Sequence, residues 1–275
     1  MDGLTRPFDP TPAPRRPLFP FPLRVFVPFA LLLAGGWGLG RIGIIPAAAV
    51  RIVGVVGFHG GLLAGALASA WRGSPGWGPP TLVCAGLLAL AATLSQLTVW
   101  GSVAYVLVPV AIGALSSSRR ELGFLGLSPR WDVRAVALGL AVGLFLGGHL
   151  LVSASRSLGY QLRLFPVDRP LAALAYDVGA NVLSAECFFR GALFGSWQRR
   201  WGFWGAAGAA TGLSVLRYLV DPALPRTLEA LVGAFFYLSL LGLSGCALLA
   251  WSGSLLSPAL ASLLFFAAYR MLTGW

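Results

Sequence analysis

Eight apolar runs, at residues 24–40, 52–71, 81–115, 135–155, 171–197, 202–219, 228–250 and 255–272, dominate the chain. A helix needs about 20 apolar residues to cross the hydrocarbon core of a bilayer. Lipid offers the backbone no hydrogen-bond partners, so such segments must close their own N–H and C=O groups as helices. The 275 residues leave no stretch for a separate soluble domain. The expected fold class is therefore all-α, a polytopic integral membrane protein. A soluble enzyme is excluded, because 57% of the residues are hydrophobic and only 11% charged, against about 25% charged in soluble domains.

The number of crossings follows from charge. The run 81–115 carries no charged residue but is too long for one crossing, and it can hold two with a turn near Trp100–Ser102. Arg6, Arg15, Arg16 and Arg24 place the N-terminus on the cytoplasmic side, and Arg119, Arg120, Arg130 and Arg134 place the loop at 116–134 there too. An even number of crossings must separate them, which makes that run a hairpin and gives nine crossings in all, with eight as the alternative. Residues 1–23, rich in proline and arginine, read as a flexible cytoplasmic arm. Residues 24–115 form the N-terminal transmembrane helices and 116–275 the core. The run after the arm lacks a small-residue cleavage signature, so the N-terminus is expected to stay attached. Under this count Arg199 and Arg200 fall inside, whereas Arg156, Arg163 and Arg169 fall outside, against the charge rule.

All 20 basic residues are arginine, and the net charge is +11. The arginines sit mostly between the runs, where they set topology and meet anionic headgroups. Membrane lipids are the partners this implies. A nucleic-acid partner is not expected, because no basic face with interleaved aromatics exists outside the runs. The absence of lysine fits a GC-rich genome, and a bacterial cytoplasmic membrane is the expected location. No cofactor is implied. Cys84, Cys187 and Cys246 lie within apolar runs without metal-ligand spacing, so packing is their expected role and no metal site is read.

Ionisable groups inside a span cost at least about 2.5–3.5 kcal/mol near the bilayer centre and are functional candidates by default. Glu186 and Arg190, four residues apart, share a helix face and can pair. Asp177 and Asn181 share another face. Asp177 and Glu186, nine apart, point away from each other on a straight helix. Arg217 and Asp221 read as a pair at the membrane interface, where Pro222 and Pro225 take the chain out of the helix. His59 and His149 stand alone on glycine-rich apolar stretches and read as hydrogen-bonded packing residues. Ser214, Ser257 and Ser262 have no histidine or lysine nearby in sequence, and intramembrane serines commonly bond across or along helices.

The segment Ala185-Glu186-Cys187-Phe188-Phe189-Arg190-Gly191 resembles the first motif of the CAAX protease and bacteriocin-processing (CPBP, or Abi) intramembrane proteases, Glu-Glu-x-x-Phe-Arg-Gly. Glu186, Phe189, Arg190 and Gly191 match. The stretch Glu121–Leu127 is similar to that family's lead-in. Trp251-Ser252-Gly253-Ser254-Leu255-Leu256-Ser257-Pro258 resembles its last motif, and the resemblance covers roughly residues 118–273. It implies a CPBP-like helical core and, in intact members, an intramembrane endopeptidase that activates water with the first glutamate and a histidine and holds the oxyanion with a His and an Asn. Here the first glutamate is Ala185, the histidine position falls on Arg217 or Tyr218, the last motif's His on Ser262 and its Asn on Phe266.

Water with a pKa near 15.7 needs a base or metal before it attacks a peptide, and lost oxyanion donors cost about 10² to 10³ each in rate. The expectation is a pseudoprotease that binds a membrane-embedded or lipidated protein segment, or partners an active protease, without cutting. The alternative is an active endopeptidase with Glu186 as base, assisted by Asp177, Asn181, His149 or Tyr218. A small-solute transporter with Glu186 and Arg190 on its path is a further alternative, weakened by the lack of an internal repeat.

Overall fold

The computed structural model describes residues 23–70, 78–118, 120–127, 132–161, 166–219 and 227–273. The arm before Leu23 lies outside them, as do Arg119, Arg130, Arg163, Asp221, Pro222 and Pro225. The described residues are helical throughout apart from short connections, with no strand among them.

In chain order the helices are α1 (Leu23–Arg41), α2 (Ala47–Val55), α3 (Gly61–Ala70), α4 (Pro79–Leu97), α5 (Leu107–Ser118), α6 (Val133–Leu158), α7 (Asp168–Tyr176), α8 (Val182–Ala185), α9 (Gly195–Leu219), α10 (Leu228–Ser252) and α11 (Leu256–Thr273). A π-helical turn, Val56–Gly60, joins α2 to α3. Two more, Asp177–Asn181 and Glu186–Phe194, link α7, α8 and α9 into one rod. Gly202 interrupts that rod with φ 67° and ψ −179°, in a region of backbone space that glycine tolerates and side-chain-bearing residues rarely adopt. The apolar runs at 171–197 and 202–219 are the two sides of this break.

Five helices are long and apolar enough to cross a membrane: Leu23–Arg41, Ala47–Ala70, Pro79–Leu97, Val133–Ser157 and Leu228–Ser252. Val99–Leu115 and Leu256–Leu272 are shorter apolar helices. The uncharged run at 81–115 is divided, a little earlier than the expected turn at Trp100–Ser102: α4 ends at Leu97, the Thr98 hydroxyl caps the next turn through Gly101 N–H at 2.9 Å, and Trp100–Ser102 lie within a 3-10 stretch, Val99–Val106, that leads into α5. Large apolar side chains face outward, among them Trp37, Leu144, Phe145, Trp204 and Phe235, while Asp177, Glu186 and Arg190 are buried. That inversion suits immersion in lipid, where polar groups turn to the bundle interior.

Helices α6 and α11 pack through small residues. Gly139, Gly143 and Gly147 recur every fourth position on α6, and a Cβ added at any of them would strike α11, at Ser257, Ala261 and Ala268 respectively. Without a hydrophobic drive between helices in lipid, close backbone approach of this kind supplies the dispersion contacts. Ser257 adds a hydrogen bond to the Ala135 carbonyl. This seam fixes α11, and with it Ser262, Phe266 and Arg270, beside the rod that carries Asp177 and Glu186. The larger apolar cluster runs across the division at residue 115, with Leu63, Leu67 and Leu88 packed together with Phe188, Phe189 and Phe194.

Candidate functional site

Polar side chains from five separate helical stretches meet inside the bundle, in two adjoining clusters. All three π-helical turns lie at this meeting place. They carry His59, then Asp177 and Asn181, then Glu186 and Arg190. A π turn holds one residue more than α-helical periodicity, re-aims the side chains around it and is found often at functional sites.

The first cluster centres on Asp177, which is 2% exposed. Arg270 of α11 grips its carboxylate with two hydrogen bonds, Nε to Oδ2 at 2.8 Å and an Nη to Oδ1 at 2.6 Å, and Asn181 donates its amide to Oδ1 at 3.0 Å. The fork of a guanidinium matches a carboxylate in two parallel bonds. Asn181 Oδ1 in turn accepts from Arg217 at 2.7 Å and from the Tyr218 hydroxyl at 3.4 Å. The Arg217 guanidinium lies over two rings, 5.0 Å from the centroid of Phe58 and 4.5 Å from that of Tyr218. Arg217 thus turns into the bundle toward Asn181, and no carboxylate among the described residues meets it; Asp221, its expected partner, lies outside them.

His59 borders this cluster. Its Nδ1 is 3.0 Å from Ser184 Oγ and its Nε2 is 2.7 Å from the Tyr176 hydroxyl. Ser184 commits its proton to the Asn181 carbonyl at 3.3 Å. A neutral imidazole has one donor and one acceptor nitrogen, so Nδ1–H donates to Ser184 and the Tyr176 O–H donates to Nε2. His149 lies elsewhere, 2.7 Å from the Tyr237 hydroxyl through Nδ1 and 3.3 Å from Ser153 Oγ.

The second cluster centres on Glu186. Ser262 of α11 donates to Oε1 at 2.7 Å, and an Arg190 Nη lies 3.6 Å from the same oxygen while donating to Ser214 Oγ at 3.3 Å. Glu186 Oε2 and Arg190 Nε are buried without a hydrogen-bond partner among the described residues. Ala185 is buried beside them, and Phe266 packs on the ring of Tyr218 with centroids 5.2 Å apart. Glu186 and Asp177 do not touch; they serve separate clusters.

The residues singled out in sequence therefore gather as follows: Asp177, Asn181, Arg217 and Tyr218 form one hydrogen-bonded group, and Glu186, Arg190 and Ser262 the other. Sequence reasoning passed over Arg270, although an arginine inside the last apolar run is itself an intramembrane charge. His59, read as a hydrogen-bonded packing residue, has two such partners in Tyr176 and Ser184, which sequence reasoning did not single out because each is more than 100 residues away from it.

Beside the first cluster a cavity of about 910 Å³ opens, with Arg51, His59, Arg169, Tyr176, Arg217 and Arg270 in its wall. Among the described residues no group of three or more His, Cys, Asp or Glu gathers to hold a metal, and Cys84, Cys187 and Cys246 are buried free thiols.

No protein-family profile, curated protein or solved structure matches the chain.

Proposed function

We propose that the chain is a CPBP-like integral membrane protein that has lost proteolytic chemistry and binds a membrane-embedded or lipidated protein segment. One observation carries this reading: positions that resemble separate family motifs lie together in the bundle. Ser262 of the last motif donates to Glu186 of the first, Arg190 of the first reaches Ser214 on α9, and Tyr218 stacks against Phe266. A hydrolytic set needs a base that activates water and donors for the oxyanion. At these positions stand Ala185, Arg217, Tyr218, Ser262 and Phe266, and the histidine in the neighbourhood, His59, is engaged with Ser184 and Tyr176. An active protease or a membrane-anchored protein is the partner class this reading implies.

The same reading takes nine crossings. The five long apolar helices, the two shorter ones and the two halves of the rod on either side of Gly202 supply them. The N-terminus is then cytoplasmic, and the membrane is the bacterial inner membrane.

The unpartnered Glu186 Oε2 favours a second reading, an active endopeptidase in which that oxygen accepts the proton of an attacking water. Mass spectrometry of protein termini in membranes from wild-type, deletion and Glu186→Gln strains separates the two. The binding reading expects no terminus to change, with the level of a particular membrane protein shifting in the deletion strain alone. Specific termini that vanish in both altered strains overturn it in favour of the protease.

A further inference from the structure

The cavity beside Asp177 has a one-sided charge. Four arginines line it, Arg51 from α2, Arg169 from α7, Arg217 from α9 and Arg270 from α11, and no acidic residue among the described ones does. Arg270 is matched by Asp177 behind it. The other three have no carboxylate partner among the described residues. Arg51 donates to Gln96 at 2.7 Å, Arg217 to Asn181, and the Arg169 side chain has no partner among them. Guanidinium groups gathered at a low-dielectric wall without counter-charge repel one another and raise the local concentration of anions. Arginine's planar fork also matches the oxygens of a phosphate.

The rest of the wall is mixed, with Ser95, Gln96 and Ser102 on one part and an apolar part formed by Leu33, Val55, Phe58 and Val99. Phe58 and Val99 are also open to the outside. A free anion would gain nothing from that surface, whereas the acyl chains of an amphiphile would. Arg51 stands near the start of the Ala47–Ala70 span and Arg169 in the first turn of α7, with Arg217 and Arg270 in the last turns of α9 and α11. All four therefore lie at one end of the bundle. With a cytoplasmic N-terminus that end is the outer one, where topology rules do not call for arginine.

From this charge, shape and placement we infer that the cavity is a binding site for the phosphate headgroup of a membrane amphiphile, with Arg51 and Arg169, neither of them paired with a carboxylate among the described residues, as its headgroup contacts. Arg217 and Arg270 form the charged floor, and Phe58 and Val99 line the exit of the chains. The site does not depend on whether Glu186 acts in proteolysis.

The full chain in nonionic detergent micelles, with bound ligand counted by native mass spectrometry, provides the test. Dioleoyl phosphatidic acid is compared with dioleoylglycerol, which has the same chains without phosphate, and with inorganic phosphate as competitor. Wild type is expected to prefer phosphatidic acid over dioleoylglycerol by at least tenfold. Arg51→Gln with Arg169→Gln should remove most of that preference. Arg169→Gln alone, which breaks no contact within the described fold, should lower it at least threefold. Arg156→Gln, at the same end but outside the cavity, should leave it unchanged. Equal binding of the two lipids, an unaltered preference in Arg169→Gln, or displacement of the lipid by inorganic phosphate at equal concentration would each overturn the inference.

Discussion

Two buried carboxylates, nine residues apart on one rod, are treated very differently by their surroundings. Asp177 is saturated, with three hydrogen bonds from two residues, one of them a charged fork from a helix 93 positions away. Glu186 receives one hydroxyl and a looser arginine, and its second oxygen has no partner among the described residues. A saturated carboxylate acts as a structural clamp, since every lone pair it spends on the fold is withdrawn from chemistry. A half-satisfied one keeps capacity for a water or a ligand group but contributes less to holding the helices together. The sequence motif thus marks the weaker clamp, and the stronger one lies outside it.

This contrast can be broken by mutation. Asp177→Asn leaves Arg270 without its counter-charge in the bundle, and loss of one partner from a buried pair costs about 3–5 kcal/mol. Thermal unfolding in detergent should show a large drop, and adding Arg270→Gln should recover part of it. Glu186→Gln should cost less, about 2 kcal/mol, because the 3.6 Å pair is looser and Oε2 gives up no bond; a loss equal to that of Asp177→Asn would erase the distinction. Ser262→Ala removes the one hydrogen bond that Glu186 receives from α11, worth about 1.5 kcal/mol with a charged acceptor. Tyr176→Phe takes the proton donor from His59 Nε2 at the edge of the cavity. Its effect should be smallest, about 0.5–1 kcal/mol in the same melting assay.

The helical, membrane-embedded character was legible because apolar runs of this length admit no other backbone solution. The division of 81–115 into two helical pieces was legible from length and charge, though not its place, because the Thr98 cap ends α4 before the glycine. Within the site, neighbours one turn apart could be read directly: Asp177 with Asn181 and Glu186 with Arg190 needed only helical spacing. Contacts such as Arg270 with Asp177, Ser262 with Glu186 and His59 with Ser184 could not, because spacing on one helix says nothing about which face of another helix it meets. The glycine-lined seam of α6 and α11 decides that. Arg217 shows the same limit from the other side: spacing offers it Asp221, which lies outside the described residues, and gives no hint of the hydrogen bond it makes to Asn181, 36 positions away. The extra residue in each π turn is also invisible to periodicity, since it leaves composition and hydrophobicity unchanged.

Those wide turns make the rod a geared shaft. One residue of α-helix corresponds to a rotation of about 100°. Tightening Glu186–Phe194 to ordinary helix with all nine of its residues kept would rotate the whole upstream half relative to α9. Asp177 would swing off Arg270, Asn181 off Arg217 and Ser184 off His59, with every one of those side chains still encoded. Losing one residue at a wide turn lets it close to ordinary helix with both halves still in register, whereas losing one from the α-helical stretches beside it turns the polar interior out of alignment; the wide turns are thus the places on the rod where one codon can be lost and the clusters kept.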